Sequence, residues 1–418
     1  SGDADSVTDA AIISIGNELI SGHVLNSNSS YIADILNRYG IRVRLIITVG
    51  DDSKQIIDVL ENLNQHIKIV LITGGLGPTH DDLTVPALAE FFRTKLIFKK
   101  EIADNIATRF TLRGLEMPEV NLKQAYIPQN AQILNNPVGS APGLKIEHDG
   151  RIYYVMPGVP AEMQAIMEKV ILPEFDSIGK QNILKKIIHV TGLPESQIYT
   201  LLKDWIKQHP SIEVAFLPQT THIDVALTIS DHDEIAQLDD YIKHITAILG
   251  RNIYGYDDDN LESVIARLLF EKHLTLAVAE SCTGGLIASR LTDIPGSSAY
   301  FKSGIIAYSN STKIKLLGVK REIIANFGAV SSEVAGQMAE QVRAISGCDI
   351  GLSSTGIAGP SGGSEEKPVG LVWIGISDKN GSRSFSHNFA GNRLTNKLRF
   401  SQAALNHLRL ALIEDFSK

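Results

Sequence analysis

The chain has 418 residues, 44% hydrophobic and 21% charged, a balance that fits a folded protein with an ample core and a length that suggests two or three domains. A net charge of -8 argues against broad binding to nucleic-acid phosphates, and no apolar run of about 18 residues is present to indicate a membrane span. Two cysteines, Cys282 and Cys348, supply neither a disulfide framework nor a zinc-type CxxC pair, so a cytoplasmic enzyme fits the composition. The opening SGDADSVTDAA has no methionine and no apolar signal core, and reads as an added scar ahead of native sequence.

Residues 10 to 170 alternate strand and helix patterns. Ala11–Ile15, Arg42–Val49 and Ile67–Thr73 are apolar or alternating runs, while Asn28–Arg38 and Ser53–Asn64 have helical spacing. That order predicts a parallel sheet covered by helices on both faces, within a first domain of residues 1–170. After Thr73 comes the loop GGLGPTHDD, placed where such folds bind ligands, at the carboxyl ends of strands. Gly74, Gly75 and Gly77 would let backbone N–H groups approach a pyrophosphate. Asp81 and Asp82 offer hard oxygens to a divalent cation, and Glu18 and Glu162, at two other predicted loop ends, would complete its shell. Asp82 would equally cap the helix that follows Thr84-Val85-Pro86.

Residues 171–256 change character. Strand patterns at Ile187–Thr191, Val214–Leu217 and Ile223–Ile229, with helices at Ser196–Ile206 and Asp233–Leu249, predict a small α+β module. Asp257-Asp258-Asp259-Asn260 then marks a turn-prone boundary before a third, α/β unit of residues 257–418.

In that unit, a strand at Leu274–Ala279 runs into Ser281, and Thr283-Gly284-Gly285 opens a helix, Leu286–Leu291. A serine there sits beside free backbone N–H groups that suit an oxyanion, although Ser281 or Thr283 would equally serve as a helix cap. Tyr308 leaves the next strand, Gly304–Tyr308, and Lys313 follows in the first turn of a helix. A cation at a helix N-terminus opposes the macrodipole, which lowers the lysine pKa toward the range of a useful base; a solvated lysine without a role is the other reading. These three side chains are what acyl transfer requires when no catalytic histidine is at hand. Cys282 is a competing nucleophile. Ser361 satisfies G-x-S-x-G in GPSGG, but a polar loop and another strand come next where an elbow needs a helix, so it is not a nucleophile elbow. The Gly-rich run after Thr355, from Gly356 through Gly359, would cradle a phosphate, and Arg393 and Arg399 open the last helix with guanidinium forks.

AESCTGG, IIAYSNSTK, TGIAGPSGG and EEKPVG, in that order, resemble the CinA family, whose C-terminal domain is a nicotinamide mononucleotide (NMN) deamidase. GNELISG, TGGLGPTHDDLT, NPVGSAPG and MPGVPAEM resemble its N-terminal, molybdopterin-binding-like domain, so the likeness covers nearly the whole chain. The resemblance implies an N-terminal molybdopterin-binding-like α/β domain, a KH-like middle module and a C-terminal α/β deamidase domain. It implies a serine amidohydrolase acting on NMN, with Ser281 as nucleophile and Tyr308 and Lys313 handling protons. Thr283, Gly284, Gly285, Thr355, Gly356, Gly359, Arg393 and Arg399 would contact substrate, and Lys397 stands where the pattern calls for arginine. Lys313, directly or through Tyr308, would take the Ser281 proton. In the N-terminal domain the resemblance implies metal-dependent hydrolysis of ADP-ribose to AMP and ribose 5-phosphate; related proteins suggest adenylyl transfer or pterin binding instead. No cofactor is expected for the deamidase, and the family expectation is a homodimer. KH modules grip RNA through GxxG, but Gly192-Leu193-Pro194-Glu195 lacks the second glycine, so RNA is not an expected partner. A non-enzymatic DNA-uptake role, suggested by the family's name, sits poorly with an acidic chain.

Overall fold

A computed structural model describes residues 8–178, 184–230 and 232–414; the first seven residues of the suspected scar lie outside them. The chain forms two compact units, Ser1–Leu184 with Ile229–Ile235, and Lys185–Thr228 with Ala236–Lys418.

The first unit contains β1 Asp9–Ile15, β2 Arg42–Val49, β3 Ile67–Thr73, β4 Leu96–Phe98, β5 Tyr126–Pro128, β6 Gln132–Leu134, β7 Gly143–His148 and β8 Arg151–Met156. Six of these make one sheet in the order β2-β1-β3-β8-β7-β6. The first four are parallel, as expected, but β7 and β6 run antiparallel at one edge. The wholly parallel sheet expected from the sequence is therefore corrected to a mixed one. The cause is a two-residue turn, Asp149-Gly150, with φ of 47° and 71°. Positive φ at both positions matches the right-handed twist of a tight hairpin and folds β8 back on β7.

Both faces of this sheet are covered. Ala11, Ile13, Ile15, Val70 and Ile72 enter one apolar cluster, and Ala10, Ile12, Ile69 and Leu71 enter the other. Alternate residues of the same strands thus bury opposite faces, which is why these strands read as continuous apolar runs. Ile171, Leu172 and Phe175 belong to the second cluster, so the first domain extends beyond residue 170.

In the second unit, β9 Leu184–Val190, β10 Glu213–Pro218, β11 Ile223–Ile229 and β12 Ile253–Tyr256 form a sheet in the order β10-β11-β9-β12. The helices Glu195–Gln208 and Leu238–Leu249 bury Leu202, Trp205, Tyr241 and Ile245. β12, four residues long, had no periodic signal in the sequence. Asn260 and Ser263 then build a reciprocal capping box that starts the helix Leu261–Glu271.

The last sheet holds β13 Leu276–Glu280, β14 Phe301–Ile306, β15 Ile350–Gly356, β16 Leu371–Asp378 and β17 Gly381–Asn388, in the order β14-β13-β15-β16-β17. β13 is parallel to both its neighbours, and β16 and β17 add antiparallel. The helix Ser332–Ser346 packs Val334, Met338 and Val342 against Ala277 and Ala279. The helix Arg393–Glu414 packs Phe400, Leu405 and Leu408 against the opposite face, with Val278 and Leu352. The carboxyl ends of β13, β14 and β15 therefore open side by side. Among the described residues, no helix is long and apolar enough to cross a membrane.

Candidate active site

Ser281 and Lys313 meet at those strand ends. Lys313 Nζ lies 2.9 Å from Ser281 Oγ, 2.9 Å from the Ala307 carbonyl and 3.2 Å from the Tyr308 carbonyl. Only 1% of Lys313 is exposed, so the second reading of it, a solvated lysine, is excluded. Burial pushes its pKa below the ordinary lysine value. Hydrogen counting gives the geometry a direction. A neutral amine has two N–H donors and one lone pair. When the amine is neutral and both donors sit on the two carbonyls, its lone pair faces the Ser281 hydroxyl.

What holds Ser281 there is its neighbour. Glu280, 1% exposed, ends β13 and turns its carboxylate back onto the helix Leu286–Thr292. It accepts the N–H groups of Gly285 and Ile287 at 3.0 Å each and of Ala288 at 2.8 Å. The N-terminus of that helix is thus occupied by a carboxylate of the protein itself, which takes none of the amides from Cys282 to Gly284, where the oxyanion is expected. Gly284 and Gly285, with φ of 60° and 98°, supply the left-handed turn that brings those amides within reach. The capping readings of Ser281 and Thr283 also fall. The helix begins after Gly285 with no side-chain cap, and Thr283 Oγ1 pairs with Ser354 Oγ at 2.7 Å. Ser281 N–H donates to the Ser354 carbonyl at 2.9 Å, tying the turn to β15.

A cavity of about 260 Å³ opens over the pair, lined by Ser281, Tyr308, Asn310, Lys313, Thr355 and Arg393 among others. Its walls include Gly356, Gly359 and Ser361, and the chain continues from Ser361 through a loop into β16, not into a helix. Arg393 Nη1 donates to the Gly359 carbonyl at 2.7 Å and Nη2 to the Tyr308 hydroxyl at 2.8 Å. Tyr308 therefore meets Lys313 only through its backbone, and its phenol belongs with Arg393. The relay through the Tyr308 phenol is not built, because Lys313 touches Ser281 directly. Thr355 Oγ1 donates to the Ala329 carbonyl at 2.7 Å. Arg399 is elsewhere: it donates to the carbonyls of Thr220 and Ala390, at 3.1 and 2.7 Å. It ties the β10–β11 hairpin to the last helix and does not line the cavity. Lys397 Nζ, by contrast, lies 3.6 Å from where a Gly284 side chain would begin. Burial pushes the Cys282 thiol up to about 12, so it is no thiolate competitor at neutral pH.

The N-terminal loop is built differently. Asp82 Oδ1 accepts the Gly77 N–H and Oδ2 the Thr79 N–H, each at 2.8 Å, with the Thr79 hydroxyl at 2.6 Å. The helix Thr84–Phe91 has no side-chain cap, so the capping reading of Asp82 gives way to loop bracing. Gly74 N–H is taken by the Met156 carbonyl at 3.0 Å. The expected phosphate cradle is thus closed at Gly74 and Gly77. A Gly74 side chain would meet the Ile15 carbonyl at 2.1 Å, and one at Gly75 would meet Thr84 Oγ1 at 2.1 Å, so close packing explains these glycines. A cavity of about 180 Å³ beside the loop is lined by Gly75, Gly77, Asp82, Lys123 and Gln124.

The predicted metal shell is only partly gathered. Asp51, which the sequence did not single out, has its carboxyl raised by burial and by the charges of Glu18, Asp82 and Asp81. These four acids are near enough to act on one another electrostatically, but their oxygens do not converge within 4.8 Å as a group of three or more. Glu162 is held apart: it accepts from Asn136 Nδ2 at 2.7 Å, beside Gly139.

An α/β domain that sets a serine hydroxyl against a buried lysine amine is the class of site the fold defines here. Comparison with known proteins agrees on the architecture. Residues 258–412 match the family described as "CinA C-terminal domain", 11–177 the "Probable molybdopterin binding domain", and 185–255 the "Damage-inducible protein CinA KH domain". A competence-damage inducible protein of Caldicellulosiruptor saccharolyticus is 42% identical over 407 residues, covering 97% of this chain and 99% of the relative. A CinA-like protein of Chlorobium limicola is 43% identical over 411 residues, 95% of each chain. Among solved structures, CinA from Thermoplasma acidophilum, titled as of unknown function, is 32% identical over 40% of this chain and 98% of that one, with a TM-score of 0.38. The chain belongs to the CinA family of competence- and damage-inducible proteins.

Proposed function

We propose that the C-terminal domain hydrolyses the carboxamide of NMN to nicotinate mononucleotide and ammonia. The observation that carries this reading is Ser281 Oγ lying 2.9 Å from a buried Lys313 amine whose other neighbours are carbonyls. Neutral Lys313 takes the hydroxyl proton as Oγ attacks the carboxamide carbon. The N–H groups of Cys282 and Thr283 would hold the developing oxyanion, since Gly284 N–H is already committed to the Ser281 carbonyl. Lys313 returns the proton to the leaving nitrogen, ammonia departs, and water cleaves the nicotinoyl ester to release the acid. Arg393 and the Gly356–Gly359 backbone hold the phosphate. At about 260 Å³ the cavity is slightly below the roughly 300–1,000 Å³ of most ligand clefts, which favours a mononucleotide over a dinucleotide.

For the N-terminal domain we infer pyrophosphate cleavage of ADP-ribose. Glu18, Asp51, Asp81 and Asp82 would hold a divalent ion, which would polarise phosphoryl oxygens and activate water. Lys123, whose Nζ donates to the Asp82 carbonyl at 2.9 Å, lines the cavity where the phosphates would enter.

The test is ammonia release from NMN by the purified chain, with Ser281→Ala alongside. Release that vanishes in the variant supports the reading. No release from the intact chain overturns it.

A further inference from the structure

The middle module carries a constellation that neither proposed reaction uses. His189 lies in β9, Asp224 in β11, and His222 just before β11. Their ligand atoms all lie within 4.8 Å of one another, and among the described residues no other group of three or more histidines, cysteines or acids does so. His189 Nδ1 is 2.6 Å and His222 Nε2 3.1 Å from the same oxygen, Asp224 Oδ1. Two imidazoles converging on one carboxylate oxygen is a crowded way to make a hydrogen-bonded pair. It is an ordinary way to present two nitrogens and an oxygen to one point.

The outer contacts strengthen this. His189 uses its other nitrogen, Nε2, against the Asp257 carbonyl at 2.8 Å. His222 sets Nδ1 against the Thr221 hydroxyl at 3.1 Å, and Asp224 Oδ2 accepts from Gln219 at 3.4 Å. Each ligand thus has its remaining polar atom engaged, which fixes tautomer and ring orientation as metal-ligating histidines require. Asp257 holds a left-handed φ of 51° while its carbonyl faces His189. Tyr254 stacks on the His189 imidazole, with centroids 5.4 Å apart at 16°, and locks the ring plane. His222 and Asp224 keep 20% and 14% side-chain exposure, so an ion has an entry path.

We propose that His189, His222 and Asp224 form a binding site for a zinc-class divalent transition ion, with a fourth position left for water or a ligand. Two imidazole nitrogens and one carboxylate oxygen suit such an ion better than magnesium or calcium, which prefer all-oxygen shells. On binding, His189 gives its Nδ1 proton to solvent and keeps Nε2–H on the Asp257 carbonyl, His222 offers the Nε2 lone pair with its one proton on Nδ1 against the Thr221 hydroxyl, and three metal–ligand bonds replace the two hydrogen bonds.

The experiment is calorimetric titration of zinc into the full chain, freed of metal by chelation, with His222→Gln, Asp224→Asn and Asp81→Asn in parallel. The wild type and Asp81→Asn should both show the high-affinity zinc isotherm of this site, beside any separate uptake by the N-terminal acids, and its affinity should fall by more than about a hundredfold in the other two. Cobalt added to the wild-type chain alone should give the visible absorption of a four-coordinate ion, a readout independent of any variant's folding. The site is overturned if the wild type takes up neither metal. It is equally overturned if the high-affinity isotherm survives both His222→Gln and Asp224→Asn, or is lost with Asp81→Asn, which would move it to the N-terminal acids.

Discussion

The two proposed reaction sites differ in what the fold completes. In the C-terminal domain the reacting pair is built by packing: a lysine 1% exposed, in the short helix Asn310–Lys315, touches a serine 7% exposed on a turn pinned to β15. In the N-terminal domain the loop is pinned just as firmly, but its acids remain spread over separate segments, one of them, Asp82, bracing its own loop. Nucleophilic catalysis needs two side chains at contact distance, which a core can impose. Metal-assisted catalysis needs several like charges near one point, which a core resists.

That contrast can be broken most sharply at the dyad. Ser281→Ala should lower NMN deamidation by roughly 10⁴-fold or more, and Lys313→Met by roughly 10³-fold, while Cys282→Ala leaves the rate intact. Loss in Cys282→Ala with retention in Ser281→Ala would reverse the assignment. Chelation should abolish ADP-ribose cleavage and spare ammonia release; equal loss of both would mean the sites are not independent. Arg393→Ala should raise KM for NMN by roughly tenfold through a lost phosphate contact, whereas Arg399→Ala, outside the cavity, should not. The smallest effect is on pH dependence. Because burial lowers the folded-state pKa of Lys313, deamidation should climb with pH as the amine loses its proton, and level off below the ordinary lysine value of 10.5. In the same interval the unfolded chain holds a proton that the folded one lacks, so stability should also rise with pH. Both trends should vanish in Lys313→Met.

Much of this layout was legible in sequence. The apolar strand before Ser281 and the glycines after it announce a strand–turn–helix, and the boundary at Asp257–Asn260 coincides with a real capping box. What could not be read was set by distant packing. Asn310–Lys315 looks like a polar surface turn, and nothing local says that Lys313 is buried against residues 32 positions away. Glu280 looks like the solvent end of a strand; only the left-handed Gly284-Gly285 turn folds three amides onto it. Asp51 joins Glu18 and Asp81 because β2, β1 and β3 are adjacent, a neighbour relation that the order of elements along the chain does not give. The antiparallel edge turns at Asp149-Gly150, a short-range hairpin dipeptide that the strand–helix alternation over residues 10 to 170 does not register.

Glu280 has one further consequence, in time as well as in space. The amide hydrogens of Gly285, Ile287 and Ala288 are shielded by a buried carboxylate, so they exchange with solvent only when the turn behind the serine opens. Their exchange rates in deuterated buffer are therefore a clock for how long Ser281 stays in register with Lys313, readable with no substrate present.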